Sequence, residues 1–260
     1  MDFIIFSGQS NMQGQTEGLP KRNPTINGAW EYVYQKNTLR PLQHPVGERV
    51  ETNGQALLLG ASKGGGSLVP AFCKKYVEES GRKVLAVHVA KGATTIAEWQ
   101  PDTLRYGAMV EKIVAAKKKL QDTDSIENIY FVWLQGESDA IAGTSEEEYY
   151  NRFMTLKNAL KKDVGASVFG IIKVGYFASE ATWYDEGDME SRVQRDERIM
   201  SAQERIVQEN SDCIMLTRVC TKISKNVSYI NPFESAHYNN KGMKKIGEEA
   251  ALELYRSTKS

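Results

Sequence analysis

The chain has 260 residues, 33 of them basic and 33 acidic, and 41% of it is hydrophobic. That length suits one large α/β domain or two small ones, and the apolar share is enough for a sizeable core. The balanced charge excludes whole-surface attraction to nucleic acid or to an anionic membrane, and no apolar run approaches the roughly 18 residues of a membrane span.

Met1 and Asp2 lead straight into "FIIFSG", with no basic start and no cleavage site. The cysteines, Cys73, Cys213 and Cys220, are odd in number and widely spaced. Together these features predict a cytoplasmic protein with free, buried thiols.

The run "FIIFS" at 3–7 predicts a buried strand that stops at Ser-Gly-Gln-Ser-Asn. Residues 15–66 are rich in Gly, Asn, Pro and Gln, with one weak extended run, "WEYVYQ". They predict a long, partly irregular insertion of the kind that forms site walls. A helix over 68–79 then leads into the strand "KVLAVHVA" at 83–90, and a helix over 107–120 into "NIYFVWLQ" at 128–135. In "SEEEYYNRFMTLKNALKK" the residues Tyr149, Phe153, Leu156 and Leu160 share one helical face, with Ser145 and Glu148 placed to form a capping box. A strand "SVFGIIKVGYF" at 167–177, a helix over 191–209 and a strand "DCIMLTRV" at 212–219 follow. The last helix, "NNKGMKKIGEEAALELYR", aligns Met243, Ile246, Ala250 and Leu254. Strands alternating with helices predict an α/β fold with a mainly parallel sheet covered on both faces. There is no internal repeat and no low-complexity linker, so one domain is expected over residues 1–260.

In such sheets ligands sit at the carboxyl ends of the strands. Ser10 falls in the first strand-to-helix turn, where it is either an ordinary turn hydroxyl or a nucleophile. A nucleophilic serine needs a base, and the base needs an orienting group. Of the three histidines, His88 lies within a strand pattern and reads as a core residue. His44 lies in the insertion with no acid beside it. His237, in "NPFESAHYNNKGM", has Glu234 three residues before it, a spacing that lets a carboxylate reach Nδ1 in one loose turn. Its alternative is a helix-start histidine with no role. Acyl transfer also needs donors for the developing oxyanion. Gly92, at a strand end, offers a backbone N–H that approaches closely, and Gln135, at another strand end, offers an amide. The alternatives are a plain turn glycine and, for Gln135, Glu137 and Asp139, a solvated loop or helix cap. No His-x-x-x-His or paired Cys spacing suggests a metal.

The segments "GQSNMQG", "KGATTIAEW", "WLQGESDA" and "ESAHYNNKGMKKIG", in that order, resemble the signature blocks of SGNH-type hydrolases. More narrowly they resemble the family 6 carbohydrate esterases, the acetylxylan esterases and sialate O-acetylesterase-like proteins. The resemblance implies a flavodoxin-like α/β/α sandwich of about five parallel strands. It implies Ser10 as nucleophile, His237 as general base and Glu234 as the acid of the triad. The oxyanion hole would be the N–H groups of Ser10 and Gly92 and the Gln135 side chain. Gln9, Asn11 and Glu137 in these blocks, and Trp99 beyond a strand end, are candidates for binding substrate. The implied substrate is an acetylated oligosaccharide, xylan-derived first and sialate second, with no metal or organic cofactor. Two departures stand out: Glu234 replaces the Asp usual in the family, and Gly-Ala-Thr-Thr replaces the frequent Gly-Gly-Thr-Ser. Two other readings use the same fold: a carbohydrate-binding protein without catalysis, and a lipase or thioesterase. The G-x-S-x-G elbow of the α/β-hydrolases is absent, because Met12 stands where its second glycine belongs.

Overall fold

The greasy run that opens the chain becomes the middle strand of a seven-stranded sheet. Phe3, Ile4, Ile5 and Phe6 are all fully buried, as expected of a parallel strand covered on both faces. The computed structural model describes residues 1–259. In chain order its elements are β1 (Asp2–Gly8), a short α1 (Ser10–Gln13), β2 (Ala29–Val33), β3 (Thr38–Pro41), β4 (Val50–Thr52), β5 (Gln55–Leu58), α2 (Val69–Ser80), β6 (Val84–Ala90), α3 (Leu104–Gln121), β7 (Ile129–Leu134), α4 (Glu137–Ala142), α5 (Glu146–Val164), β8 (Val168–Ile172), α6 (Met189–Glu209), β9 (Cys213–Thr217), α7 (Cys220–Ile223) and α8 (Asn240–Thr258).

The sheet order is β3-β2-β6-β1-β7-β8-β9. The five strands predicted from apolar runs therefore lie in the order second, first, third, fourth, fifth, all parallel. This is the doubly wound, flavodoxin-like arrangement, whose order reverses beside the first strand. Helices α2 and α8 pack together as one layer, and α3, α5 and α6 form the other. Gly247 permits the first contact, since a Cβ there would lie 2.5 Å from the Leu68 carbonyl oxygen. The predicted helical faces are buried, with Tyr149, Phe153, Leu156 and Leu160 on α5 and Met243, Ile246, Ala250 and Leu254 on α8. Ser145 Oγ caps α5 by accepting the Glu148 N–H. No helix among the described residues is long and apolar enough to cross a membrane. All three cysteines are free and buried.

Two expectations need correction. The insertion is less irregular than its composition suggests. Its weak extended run forms β2, which joins the main sheet parallel to β6, and β3 adds an antiparallel edge. The signal was weak because Glu31 sits in the middle of β2. Its buried carboxylate is held by Arg40 at 2.9 and 2.6 Å and by the Gly47 N–H at 2.5 Å, partners that no local pattern reveals. The fourth strand also ends at Ile172 instead of running to 177. Beyond it, the buried Asp196 of α6 takes the N–H groups of Phe177, Ala178 and Ser179, which pulls the chain off the sheet and over the carboxyl ends.

Candidate active site

Because the strand order reverses beside β1, a crevice opens outside the carboxyl ends of β1, β6 and β7. A cleft of about 300 Å³ lies there, with Ser10, Gly92 and His237 in its lining. A larger cavity of about 530 Å³, lined by Arg82, Glu127 and Tyr255 among others, sits at the opposite ends of the strands and holds none of the residues singled out above.

Ser10 opens α1, directly after the β1 turn. His237 precedes α8, 227 residues further along. The fold brings them together: Ser10 Oγ donates to His237 Nε2 at 2.9 Å. On the other side of the ring, Nδ1 lies 3.3 Å from the Ser235 carbonyl oxygen. A carbonyl only accepts, so this contact places the proton on Nδ1 and leaves the Nε2 lone pair facing the serine. Phe177 packs edge-on against the imidazole, with centroids 5.4 Å apart. Burial lowers the pKa of His237 below its ordinary value, while the Glu234 charge and the Ser235 carbonyl act in the opposite sense. The imidazole is therefore neutral at pH 7, in the form able to accept a proton.

Glu234 does not make the contact its spacing suggested. Its backbone carbonyl accepts the His237 N–H at 3.3 Å, closing a tight turn in which Ala236 takes a positive φ of 63°. That turn directs the carboxylate outward, where it is partly exposed and lies 3.5 Å from Lys63 Nζ. The carboxylate makes no hydrogen bond to the imidazole.

The three expected oxyanion donors differ in their availability. The Ser10 N–H begins a helix, where there is no intrahelical acceptor, and it has no partner among the described residues. Gly92 lies against Ser10, and a Cβ on it would fall 3.3 Å from Ser10 Cβ and 2.9 Å from Gln15 Nε2, so a larger residue would crowd the serine and push the Gln15 side chain aside. Its N–H donates to Gln13 Oε1 at 2.7 Å, while Gln13 Nε2 is tied to the Gly60 carbonyl at 2.8 Å. The Gln135 amide is fully buried and turned away from the cleft. It donates to Asp139 Oδ2 at 2.5 Å and to the Thr94 carbonyl at 2.9 Å. The buried carboxylate outcompetes the cleft for this amide, because a charged acceptor makes the stronger bond. Asp139 also accepts the Ile96 N–H and the Thr144 hydroxyl, so it fastens several loops beneath the site.

The candidates for substrate contact are also redistributed. Gln9 lines the cleft, but its amide is braced against Ser138 and the Gly136 N–H. Asn11 and Glu137 lie beneath the cleft as a buried pair, with Nδ2 donating to Oε1 at 2.9 Å. Asn11 Oδ1 accepts the Tyr238 N–H, linking the serine turn to the residue after His237. Burial pushes the Glu137 carboxyl up to about 7, and its Oε2 has no partner among the described residues. Trp99 is fully buried, edge-on to Trp133 at 5.7 Å, with its indole N–H on Thr94 Oγ1. It is a core residue, and the aromatic wall of the cleft is supplied by Trp183 and Phe177. His88 is buried in β6, with Nε2 3.2 Å from the Met12 carbonyl, and His44 lines a different cavity.

Lys91, Ile141, Phe177 and Trp183 also line the cleft and were not singled out from the sequence. The one signal for Trp183 is an aromatic pair, Trp183-Tyr184, set among turn residues in "ATWYDEG".

Residues 1–256 match the carbohydrate esterase family described as sialic acid-specific acetylesterase, and the chain belongs to that family. No curated protein matches it in sequence. Among solved structures, a protein from Arabidopsis thaliana is similar with a TM-score of 0.72 at 18% identity, over 99% of this chain and 98% of its own. NanS is similar with a TM-score of 0.65 at 14% identity, over 98% and 97%. A catalytic mutant of Axe2, an acetylxylan esterase from Geobacillus stearothermophilus, is similar with a TM-score of 0.52 at 11% identity, over 98% and 94%. At such identities the likeness to solved structures is one of fold. Family membership makes the chain a carbohydrate esterase, a carboxylic ester hydrolase of the O-acetyl type.

Proposed function

We propose that this carbohydrate esterase removes O-acetyl groups from sugars through an acetyl-enzyme, with Ser10 as nucleophile and His237 as general base. The observation that carries the reading is the 2.9 Å contact between Ser10 Oγ and His237 Nε2 on the cleft wall. His237 Nε2 takes the hydroxyl proton as Ser10 Oγ attacks the acetyl carbonyl. The imidazolium that forms keeps its Nδ1–H on the Ser235 carbonyl and is favoured by the Glu234 charge. The tetrahedral oxyanion takes the Ser10 N–H, and the Gly92 N–H once the ester oxygen displaces Gln13 Oε1. The intermediate collapses as Nε2–H protonates the departing sugar oxygen. Water, deprotonated by the same nitrogen, then attacks the acetyl carbon and releases acetate and free Ser10. The Gln135 amide acts here as a brace of the cleft floor and not as a donor to the intermediate.

The substrate we assign first is an acetylated xylo-oligosaccharide. A sialate is the second reading, favoured by Lys91. Its ammonium lines the cleft, donates to the Gly92 carbonyl and has no ion-pair partner among the described residues, so it is placed to meet a sugar carboxylate. The test is acetate release from a panel of acetylated xylo-oligosaccharides and O-acetyl sialates by the wild type and by Ser10→Ala. Loss of roughly 10⁴-fold or more in the variant is expected. Full activity in Ser10→Ala, or no labelling of Ser10 by an organophosphonate, would refute the assignment.

A further inference from the structure

We propose that Trp183 is the platform on which the sugar of the substrate lies, and that it accepts a pyranose whose equatorial hydroxyls leave a flat C–H face. The inference rests on the esterase reading above and adds to it the residue that selects the sugar. Trp183 lines the same cleft as Ser10 and His237, yet its side chain is 60% exposed. Exposure alone would say little, but an indole open on the wall of this cleft presents a flat apolar face to whatever enters, and aromatic faces pair well with apolar C–H surfaces. The ring is also held in place. It packs edge-on against Phe177 at 6.1 Å, and Phe177 packs edge-on against His237. The preceding residue, Thr182, is latched to the histidine loop, with its N–H and its hydroxyl each 3.0 Å from Ser235 Oγ. Ser235 is the residue whose carbonyl holds His237 Nδ1. One residue therefore anchors both the proton-transfer group and the aromatic wall. A ring stacked on Trp183 is brought to the side of the cleft where His237 must protonate the departing sugar oxygen. A β-linked xylopyranoside offers such a face, whereas a sialate covers its ring with a glycerol chain and a carboxylate.

The test compares Trp183→Ala and Trp183→Phe with wild type on two esters: ethyl acetate, which has no ring, and an acetylated xylo-oligosaccharide. Trp183→Ala should raise KM for the oligosaccharide roughly tenfold, the size of one stacking contact. The loss in kcat/KM for ethyl acetate should be no more than about threefold, or roughly 0.65 kcal/mol, and Trp183→Phe should recover most of the loss on the oligosaccharide. Equal loss on both esters would make Trp183 a structural wall, and no change on either would leave it without a role; both overturn the proposal. A readout independent of catalysis uses Ser10→Ala titrated with deacetylated xylo-oligosaccharide. Trp99 and Trp133 are fully buried, and the fourth tryptophan, Trp30, is half-buried on β2 and does not line the cleft, so the fluorescence change should come from Trp183 and vanish in the double variant with Trp183→Ala. If this binding signal persisted in the double variant, the platform would be refuted. If wild type failed to hydrolyse ethyl acetate while the signal behaved as expected, the esterase reading alone would fall.

Discussion

Replacing Glu234 by Gln separates two accounts of the proton-transfer pair. If Glu234 held His237 Nδ1 as the buried acid of a triad, the substitution would cost about 10⁴-fold in kcat, the effect of spoiling the tautomer and the imidazolium partner together. The structure argues for far less. The Glu234 side chain is 38% exposed, its oxygen is 3.5 Å from Lys63 Nζ, and Nδ1 is engaged by the Ser235 carbonyl. What remains is a solvent-screened charge near an imidazolium, an interaction of about 0–1 kcal/mol, or less than roughly fivefold in rate. The assay is steady-state hydrolysis of 4-nitrophenyl acetate by wild type and Glu234→Gln at pH 8, where His237 is neutral in both, with melting curves to confirm folding. A kcat within fivefold of wild type is expected. The same charge raises the His237 pKa, so the acid limb of kcat/KM should move to lower pH in the variant. A loss of 10³-fold or more in a folded variant would show that the carboxylate reaches Nδ1 during turnover and would refute the reasoning.

Three further outcomes follow from the site. Burial lowers the His237 pKa below the ordinary 6.5, and the base must be neutral, so kcat/KM should hold level at pH 7 and fall only as pH drops through a value below 6.5; a midpoint at or above 6.5 in the pH–rate profile would contradict this. Glu137 has its carboxyl raised from 4.5 to about 7, so its contribution to stability is fully present below pH 4.5 and is lost as pH rises through 7. Glu137→Gln should therefore remove roughly 3 kcal/mol of destabilisation between those limits, seen in urea unfolding at pH 5 and 8, and parallel pH dependences in the two proteins would rule it out. Gln13→Ala removes the acceptor that occupies the Gly92 N–H and should lower KM for ethyl acetate about fivefold, the value of one neutral hydrogen bond. A tenfold fall in kcat would instead make Gln13 the residue that positions Gly92.

Much of this was legible in linear order. The five apolar runs became the parallel strands because a strand buried on both faces needs a continuous apolar run, and that requirement is local. The ends of those runs placed Ser10 and Gly92 at the cleft, since the carboxyl ends of strands are where an α/β sheet opens. Trp99 shows the limit. It also follows a strand end, yet its indole N–H found Thr94 and its face found Trp133, so it turned inward. Trp183 lies in a stretch with no periodicity, and its place depends on Asp196 and Ser235, 13 and 52 positions away.

The sequence by itself determined the class of the fold and the strand that presents Ser10, and it offered His237 as a candidate partner, because hydrophobic period and turn chemistry act over a few residues. Only the tertiary structure decided which polar groups remain free to act. Glu234 was drawn outward by its own turn, Gln135 was captured by Asp139, and the Gly92 N–H was taken by Gln13. A hydrogen-bonding group is spent on whichever partner folding brings nearest, and those partners lie tens to hundreds of residues away along the chain.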